Sequence, residues 1–193
     1  MNKLIVAMLV AGCSGLLPKA AVAAGIDGLL PHRAVYDLSM IDSSDRSGIT
    51  GMKGRIVYEM TGSKCEGFAV RFRFLTQVET ARKDFTNDQR TTSFESGDGK
   101  SFSFVNQSYL NGQLERELRG QAELDGELTK VAITKPEASS FELGASIFMT
   151  RHIAMLIEAA QTGQTIVTAK VYDGSDDGDE LVDTTAVIGR ERG

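Results

Sequence analysis

Basic residues, histidine, cysteine and long apolar runs are all scarce in this sequence, and each shortage removes a class of function. Lys and Arg together number 21 against 26 Asp and Glu, a formal net charge of -5, and nowhere do they gather into a dense cluster. A nucleic-acid partner needs such a footprint for its phosphates, so nucleic acid is not an expected partner, and charge alone disfavours contact with an anionic membrane surface. Histidine occurs twice, as His32 and His152. Neither belongs to an i,i+4 pair or a Cys/His cluster of ligand spacing, so no metal site and no cofactor are expected. Cysteine also occurs twice, as Cys13 and Cys65. No base is in evidence to activate Cys65, its neighbours are Lys64 and Glu66, and no Gly-x-Ser-x-Gly elbow exists, so the chain reads as non-enzymatic. No apolar run reaches the roughly 18 residues of a membrane-spanning helix.

What is present is the composition of a folded domain, 41% hydrophobic and 24% charged over 193 residues. The first 23 residues read as a signal peptide. Lys3 supplies the positive start, Leu4 to Gly12 the apolar stretch, and Ala21-Val22-Ala23 a small-x-small site whose cleavage leaves Ala24 first. Val10-Ala11-Gly12-Cys13 offers a second reading, a lipoprotein site at which acylated Cys13 would tether the chain. Cleavage after Ala23 is favoured because the apolar stretch before Cys13 is short. Both readings place the protein beyond a bacterial inner membrane, in the periplasm if the chain is released.

Residues 24–193 then form one domain, organised around Gly54 to Glu79. From Phe68 to Val78 bulky apolar residues alternate with Arg71, Arg73 and Gln77, the period of a strand half in a core. Gly54 to Met60 is also strand-like, and Thr61 to Gly67 holds turn formers, so the two make a long antiparallel hairpin with Cys65 at its mouth. Arg33 to Leu38, Gln89 to Glu95, Ser101 to Val105, Val131 to Ile133, Gln164 to Tyr172 and Val182 to Gly189 read as further strands. Thr80 to Asp88 breaks the apolar pattern, and Gln113 to Leu124 suits either helix or strand. Ser96 to Lys100, Asn111-Gly112 and Asp125-Gly126 are turn signals. One helix is expected over Arg151 to Ala160, capped by Thr150, ended by Gly163, and packed through Ile153, Leu156, Ile157 and Ala160. The whole is mainly β, a curved antiparallel sheet or open barrel with one packed helix near 150–162.

Two motifs fail on spacing. Gly97-Asp98-Gly99-Lys100-Ser101 ends like a phosphate loop, but Phe94 stands where the first glycine is needed and a strand follows, so it is a hairpin turn. Asp173 to Asp179 opens like an EF-hand loop, but Thr184 occupies the closing position, which leaves an acidic surface turn. Once residues 1–23 are removed, Cys65 has no partner; either it pairs outside this chain or the chain lacks the segment that carries its partner.

The stretches 32–38 (HRAVYDL), 54–77, 91–104, 150–160 and 171–178 (VYDGSDDG) resemble the EipB family, periplasmic cell-envelope-integrity proteins of alphaproteobacteria. The resemblance covers nearly the whole mature chain, most specifically in the Y-E-x-T-G-S-x-C-E-G and V-Y-D-G-S-D stretches. It implies a β-spiral similar to lipid-handling periplasmic folds, and a role in envelope maintenance without catalysis. It also implies further strands beyond Thr184 to Gly189 and a disulfide from Cys65 to a cysteine near the far end, so the chain is expected to be incomplete at its C-terminus. Two partners fit this picture: a lipid or peptide held in a concave β surface, or envelope proteins bound through strand edges.

Overall fold

The computed structural model describes residues 28–44 and 46–189. Eight strands form one antiparallel meander in chain order: β1 (His32–Ser39), β2 (Ile49–Ser63), β3 (Gly67–Thr80), β4 (Phe85–Glu95), β5 (Ser101–Leu110), β6 (Gln113–Asp125), β7 (Leu128–Lys135) and β8 (Ser139–Leu143). The edge strands β1 and β8 do not pair with each other, so the sheet is open and not a closed barrel. A short β9 (Ile147–Phe148) leads into the helix α1 (Met149–Gln161), and β10 (Ile166–Tyr172) and β11 (Val182–Val187) follow. These last strands make a second sheet in which β10 lies between β11, antiparallel, and β9, parallel.

The expected hairpin is present, with β2 and β3 in one register from Gly51↔Glu79 to Ser63↔Gly67 and a bulge at Thr50 before the Ile49↔Thr80 pair. Phe85 starts β4 four residues before the alternation at Gln89 becomes visible, because β3 offers partners as far as Val78↔Phe85. Residues 113–124 are strand, since β6 is paired on both sides by β5 and β7 and no helix could satisfy those two ladders. β8 and β9 carry no period long enough to read.

Alternation sends one set of side chains from every strand to the concave face. Phe102 and Phe104 on β5, Leu118 and Ala122 on β6, and Val131 and Ile133 on β7 are buried there and meet Phe148 and Tyr172 of the second sheet. The four aromatic rings interlock. Phe102 stacks on Phe104 at 5.6 Å and on Phe148 at 5.2 Å, while Tyr172 stands edge-on to Phe102 at 6.2 Å. Gly120 lies opposite Phe104, and a Cβ there would come within 2.9 Å of the ring, so glycine gives the phenyl its space. Burial of the Tyr172 phenol, with Asp173 and Asp179 nearby, holds its pKa well above the ordinary range, and the hydroxyl donates to the Gly178 carbonyl at 3.0 Å.

The helix departs from its sequence-based description in two respects. Its N-cap is Phe148, whose side chain caps nothing, and not Thr150, which lies buried within the first turn. The free amides of that turn are taken up from across the domain: Thr150 N–H donates to Glu95 Oε2 at 2.7 Å and Arg151 N–H to Glu95 Oε1 at 3.2 Å. Glu95 is the last residue of β4 and is 1% exposed, so one buried carboxylate ties the sheet to the positive end of the helix. The buried face also differs. His152, Ala154 and Ala159 are buried, Ile153 and Leu156 are half-buried, and Ile157 and Ala160 are exposed. α1 lies against the small sheet, where close approach selects small residues, and His152 Nε2 is 3.2 Å from Thr184 Oγ1 on β11. Gly163 ends the helix as expected: at φ 75°, its N–H donates to Ala160 O while Gln164 N–H donates to Ala159 O.

Two stability changes follow. Phe148→Ala is expected to cost about 3–5 kcal/mol in thermal or urea unfolding, as a fully buried ring in the central cluster. Glu95→Ala should cost about 1–3 kcal/mol by stranding two amides, and Glu95→Gln less, because one acceptor oxygen remains. Burial raises the Glu95 carboxyl above its ordinary range, so folding favours its protonated form relative to the unfolded chain. That contribution is complete in acid and is lost as pH rises through the raised value, and Glu95→Gln removes the slope. Unfolding midpoints of Glu95→Ala equal to those of the unaltered chain would refute the bridge.

Candidate functional site

The concave face is built in layers, each defined by residues that pair across the sheet. At the base, Phe68, Glu95, Phe102, Ala122 and Val131 stand in register. One step up are Met60, Val70, Ser93, Phe104, Gly120 and Ile133, and above them Tyr58, Phe72, Thr91, Asn106 and Leu118. The outermost layer is Ile56, Phe74, Gln89, Ser108 and Arg116. The base is sealed by the aromatic cluster and by α1. The upper layers are only partly covered.

Between them and the helix lies a cavity of about 620 Å³, within the usual range for small-molecule sites. Tyr58, Val70 and Phe72 form one wall, Phe102 and Leu118 contribute to the floor, and Met149, Thr150 and Ile153 close it from the helix side. The helix therefore covers the concave face, as its sequence suggested, through its first turn and Ile153. It leaves the space open because Leu156 and Ile157 point elsewhere. The wall made by β4 and β5 is polar, carrying Gln89, Thr91, Ser93, Asn106 and Ser108, with Arg90 its one charged residue. Burial raises the Tyr58 phenol, which therefore stays neutral on its wall.

The acidic loop after β10 sits at the mouth, where Asp173, Ser175 and Asp176 line the opening. Its sequence gives it as a surface turn, and its place over the concave face is the feature that sequence does not reveal. Asn106 Nδ2 donates to Gly174 O at 2.7 Å. Arg116 donates to Asp176 O and, at 2.7 Å, to Asp177 Oδ1. Gly174, at φ 68°, lies over Phe104, and a Cβ there would fall 2.6 Å from the ring. The loop is thus fastened to β5 and β6, and its carboxylates are held at the rim. Among the described residues no three His, Cys, Asp or Glu side chains converge as a metal site would require.

On the convex face a separate set of charges is neutralised. Arg73 grips Asp88 with two hydrogen bonds of 2.8 Å, Arg90 reaches the same carboxylate at 2.7 Å, and the Arg90 guanidinium lies 4.4 Å over the Tyr109 ring. The Arg73 hydrogen bonds hold the Asp88 carboxyl below its ordinary range. This cluster braces the sheet from outside, and of its members only Arg90 also borders the cavity.

Cys65 lies in the turn between β2 and β3, exposed and free, away from the cavity lining. The turn is pinned by the neighbouring hairpin: a Cβ on Gly97 would fall 1.7 Å from Lys64 O, so the backbones meet there and only glycine fits. The sequence Gly97 to Lys100 is accordingly a hairpin turn between β4 and β5. Cys13, Ala23 and Ala24 lie outside the described residues.

Comparison with known proteins agrees with this architecture. The EipB-like family profile matches residues 23–193. The chain is 42% identical over 174 residues to the cell envelope integrity protein EipB of Brucella abortus (strain 2308), an alignment covering 90% of this chain and 62% of that protein. The chain thus spans about three fifths of that relative's length. A crystal structure of a β-barrel-like protein of a domain of unknown function from Brucella abortus superposes with a TM-score of 0.82 at 42% identity, covering 85% of this chain and 68% of that one.

An exposed cysteine on a rigid turn should react freely. In the natively folded chain, isolated without reductant and then reduced, Cys65 is expected to modify with an aromatic disulfide reagent about as fast as in the urea-unfolded chain. Slow modification in the native state would show that the turn buries the thiol.

Proposed function

Because the chain belongs to the EipB-like family, we propose that it serves cell envelope integrity in the periplasm as a non-enzymatic carrier, holding an acyl chain in its concave cavity. The observation that supports this reading is the cavity itself. A space of about 620 Å³ bounded by Tyr58, Val70, Phe72, Leu118, Met149 and Ile153 is lined for an apolar ligand. Apolar walls of this extent are stable in water when a ligand removes them from it. The relative named a cell envelope integrity protein supports the compartment, as does the export signal read from residues 1–23.

A second reading rests on β1. It is an edge strand of the large sheet, and Val35, Tyr36 and Leu38 on it are each more than two-fifths exposed. An envelope protein could add a strand there. Leu38→Pro would then abolish capture of that partner while leaving the cavity untouched.

The carrier reading is tested with an apolar fluorescent probe such as N-phenyl-1-naphthylamine. Its emission is expected to rise with the unaltered protein and clearly less with Val70→Trp, whose indole would intrude into the cavity, provided both proteins melt cooperatively. Equal emission from the two would place the probe elsewhere and end the reading. For compartment, the mature chain is expected to begin at Ala24 and to leave cells on osmotic shock. Retention on washed membranes with an acylated Cys13 would replace the soluble form by a tethered one.

A further inference from the structure

The polar wall of the cavity does not suit a plain hydrocarbon. Gln89, Thr91 and Ser93 on β4 and Asn106 and Ser108 on β5 form one stripe, with Gln89 paired to Ser108 and Thr91 to Asn106. The side chains of Gln89, Thr91, Ser93 and Ser108 make no hydrogen bond to any other described residue. Asn106 spends its amide nitrogen on Gly174 O, and its Oδ1 is buried without a partner. A bare acyl chain over this stripe would strip water from five polar groups and return nothing, a penalty that buried polar groups avoid by finding partners. The stripe therefore calls for a ligand with hydrogen-bonding groups midway along its length.

Charge narrows the class. The cations near the rim are engaged: Arg116 by Asp177 and Asp176 O, and Arg90 by Asp88 on the convex face. Asp173 and Asp176 stand at the mouth. A fatty-acid carboxylate would meet those acids with no uncommitted guanidinium beside it. An extended peptide fares no better, because the cavity floor is a sheet face whose backbone groups are already spent on the ladder, and strand addition needs a free edge. An uncharged ester or amide meets both conditions. Its carbonyl accepts from the hydroxyls and from Gln89, and hydroxyls beyond it donate to Asn106 Oδ1 and to the Ser and Thr oxygens.

We propose that the occupant of this cavity is a monoacyl lipid whose chain is joined through an uncharged ester or amide to a hydroxylated body, the linkage lying on the β4–β5 stripe. The chain then runs against Tyr58, Phe72 and Met149, and the hydroxylated body meets the acidic rim. This rests on the carrier reading above and adds to it the chemistry of the ligand.

The experiment is displacement of bound N-phenyl-1-naphthylamine by competitors of one chain length: monododecanoylglycerol, dodecanoate and an extended apolar peptide of similar reach. Monododecanoylglycerol is expected to displace the probe at a concentration lower by about tenfold than dodecanoate, the worth of one or two hydrogen bonds. In Thr91→Val/Ser93→Ala/Ser108→Ala that preference, each displacement being referred to the variant's own affinity for the probe, should fall to about twofold or less. Should the triple variant not fold, Ser108→Ala at the open rim carries the comparison, with a partial fall expected. Equal displacement by ester and acid, a preference unchanged by the variants, or stronger displacement by the peptide would each overturn the ligand assignment while leaving the carrier reading in place. Failure of the unaltered protein to bind the probe at all would overturn both.

Discussion

The two amides that open α1 donate to a carboxylate on the far sheet, and the position of everything over the concave face follows from that pairing. Glu95 ends β4 at the base layer, so the helix must begin where the cavity floor begins. Phe148, one residue before the helix, is thereby seated among Phe102, Phe104 and Tyr172. The Glu95 bridge, the aromatic cluster and the anchored loop after β10 thus hold the small sheet to the large one. The rest of the helix is free to lean against β10, and the cavity lies above its first turn.

The large sheet was legible because most of its hairpins carry both signals at once. Phe68 to Val78 alternates cleanly, and Ser96 to Lys100, Asn111-Gly112 and Asp125-Gly126 punctuate it. Gln113 to Leu124 was ambiguous for a physical reason. Leu114 and Leu118 stand at helical spacing, and only pairing with β5 and β7 decides in favour of strand. The helix was legible in extent but not in orientation: bulk pointed to Ile157, whereas close contact with β10 selects Ala154 and Ala159.

The site was less legible than the fold. Gln89 to Ser93 is polar at every position, so its sequence gives no clue to which side chains face inward, and only the register with β3 and β5 supplies it. Glu95 looks like an ordinary carboxylate before a turn, and its partners lie more than fifty residues away in the chain. The acidic loop was readable as a loop. Its anchorage was not, since the contacts of Asn106 with Gly174 and of Arg116 with Asp177 are long-range. Cys65, by contrast, sits where the turn signals put it, and the Gly97 approach that makes its turn rigid left no mark in sequence.

Layering also restricts how the lengths of these strands can change over time. Neighbouring side chains point to opposite faces, and successive concave layers lie roughly 6.6–6.8 Å apart along a strand. One residue added within β4 would replace Gln89, Thr91 and Ser93 on the inner wall by Arg90, Thr92 and Phe94, and would swing Asp88 away from the two guanidiniums it neutralises outside. Two residues would keep the alternation and lengthen the trough by one rung. Descendants of this chain can therefore lengthen the inner wall of β4 in pairs of residues, or by a single residue only where a bulge absorbs it, as at Thr50, Glu115 and Thr134 in β2, β6 and β7.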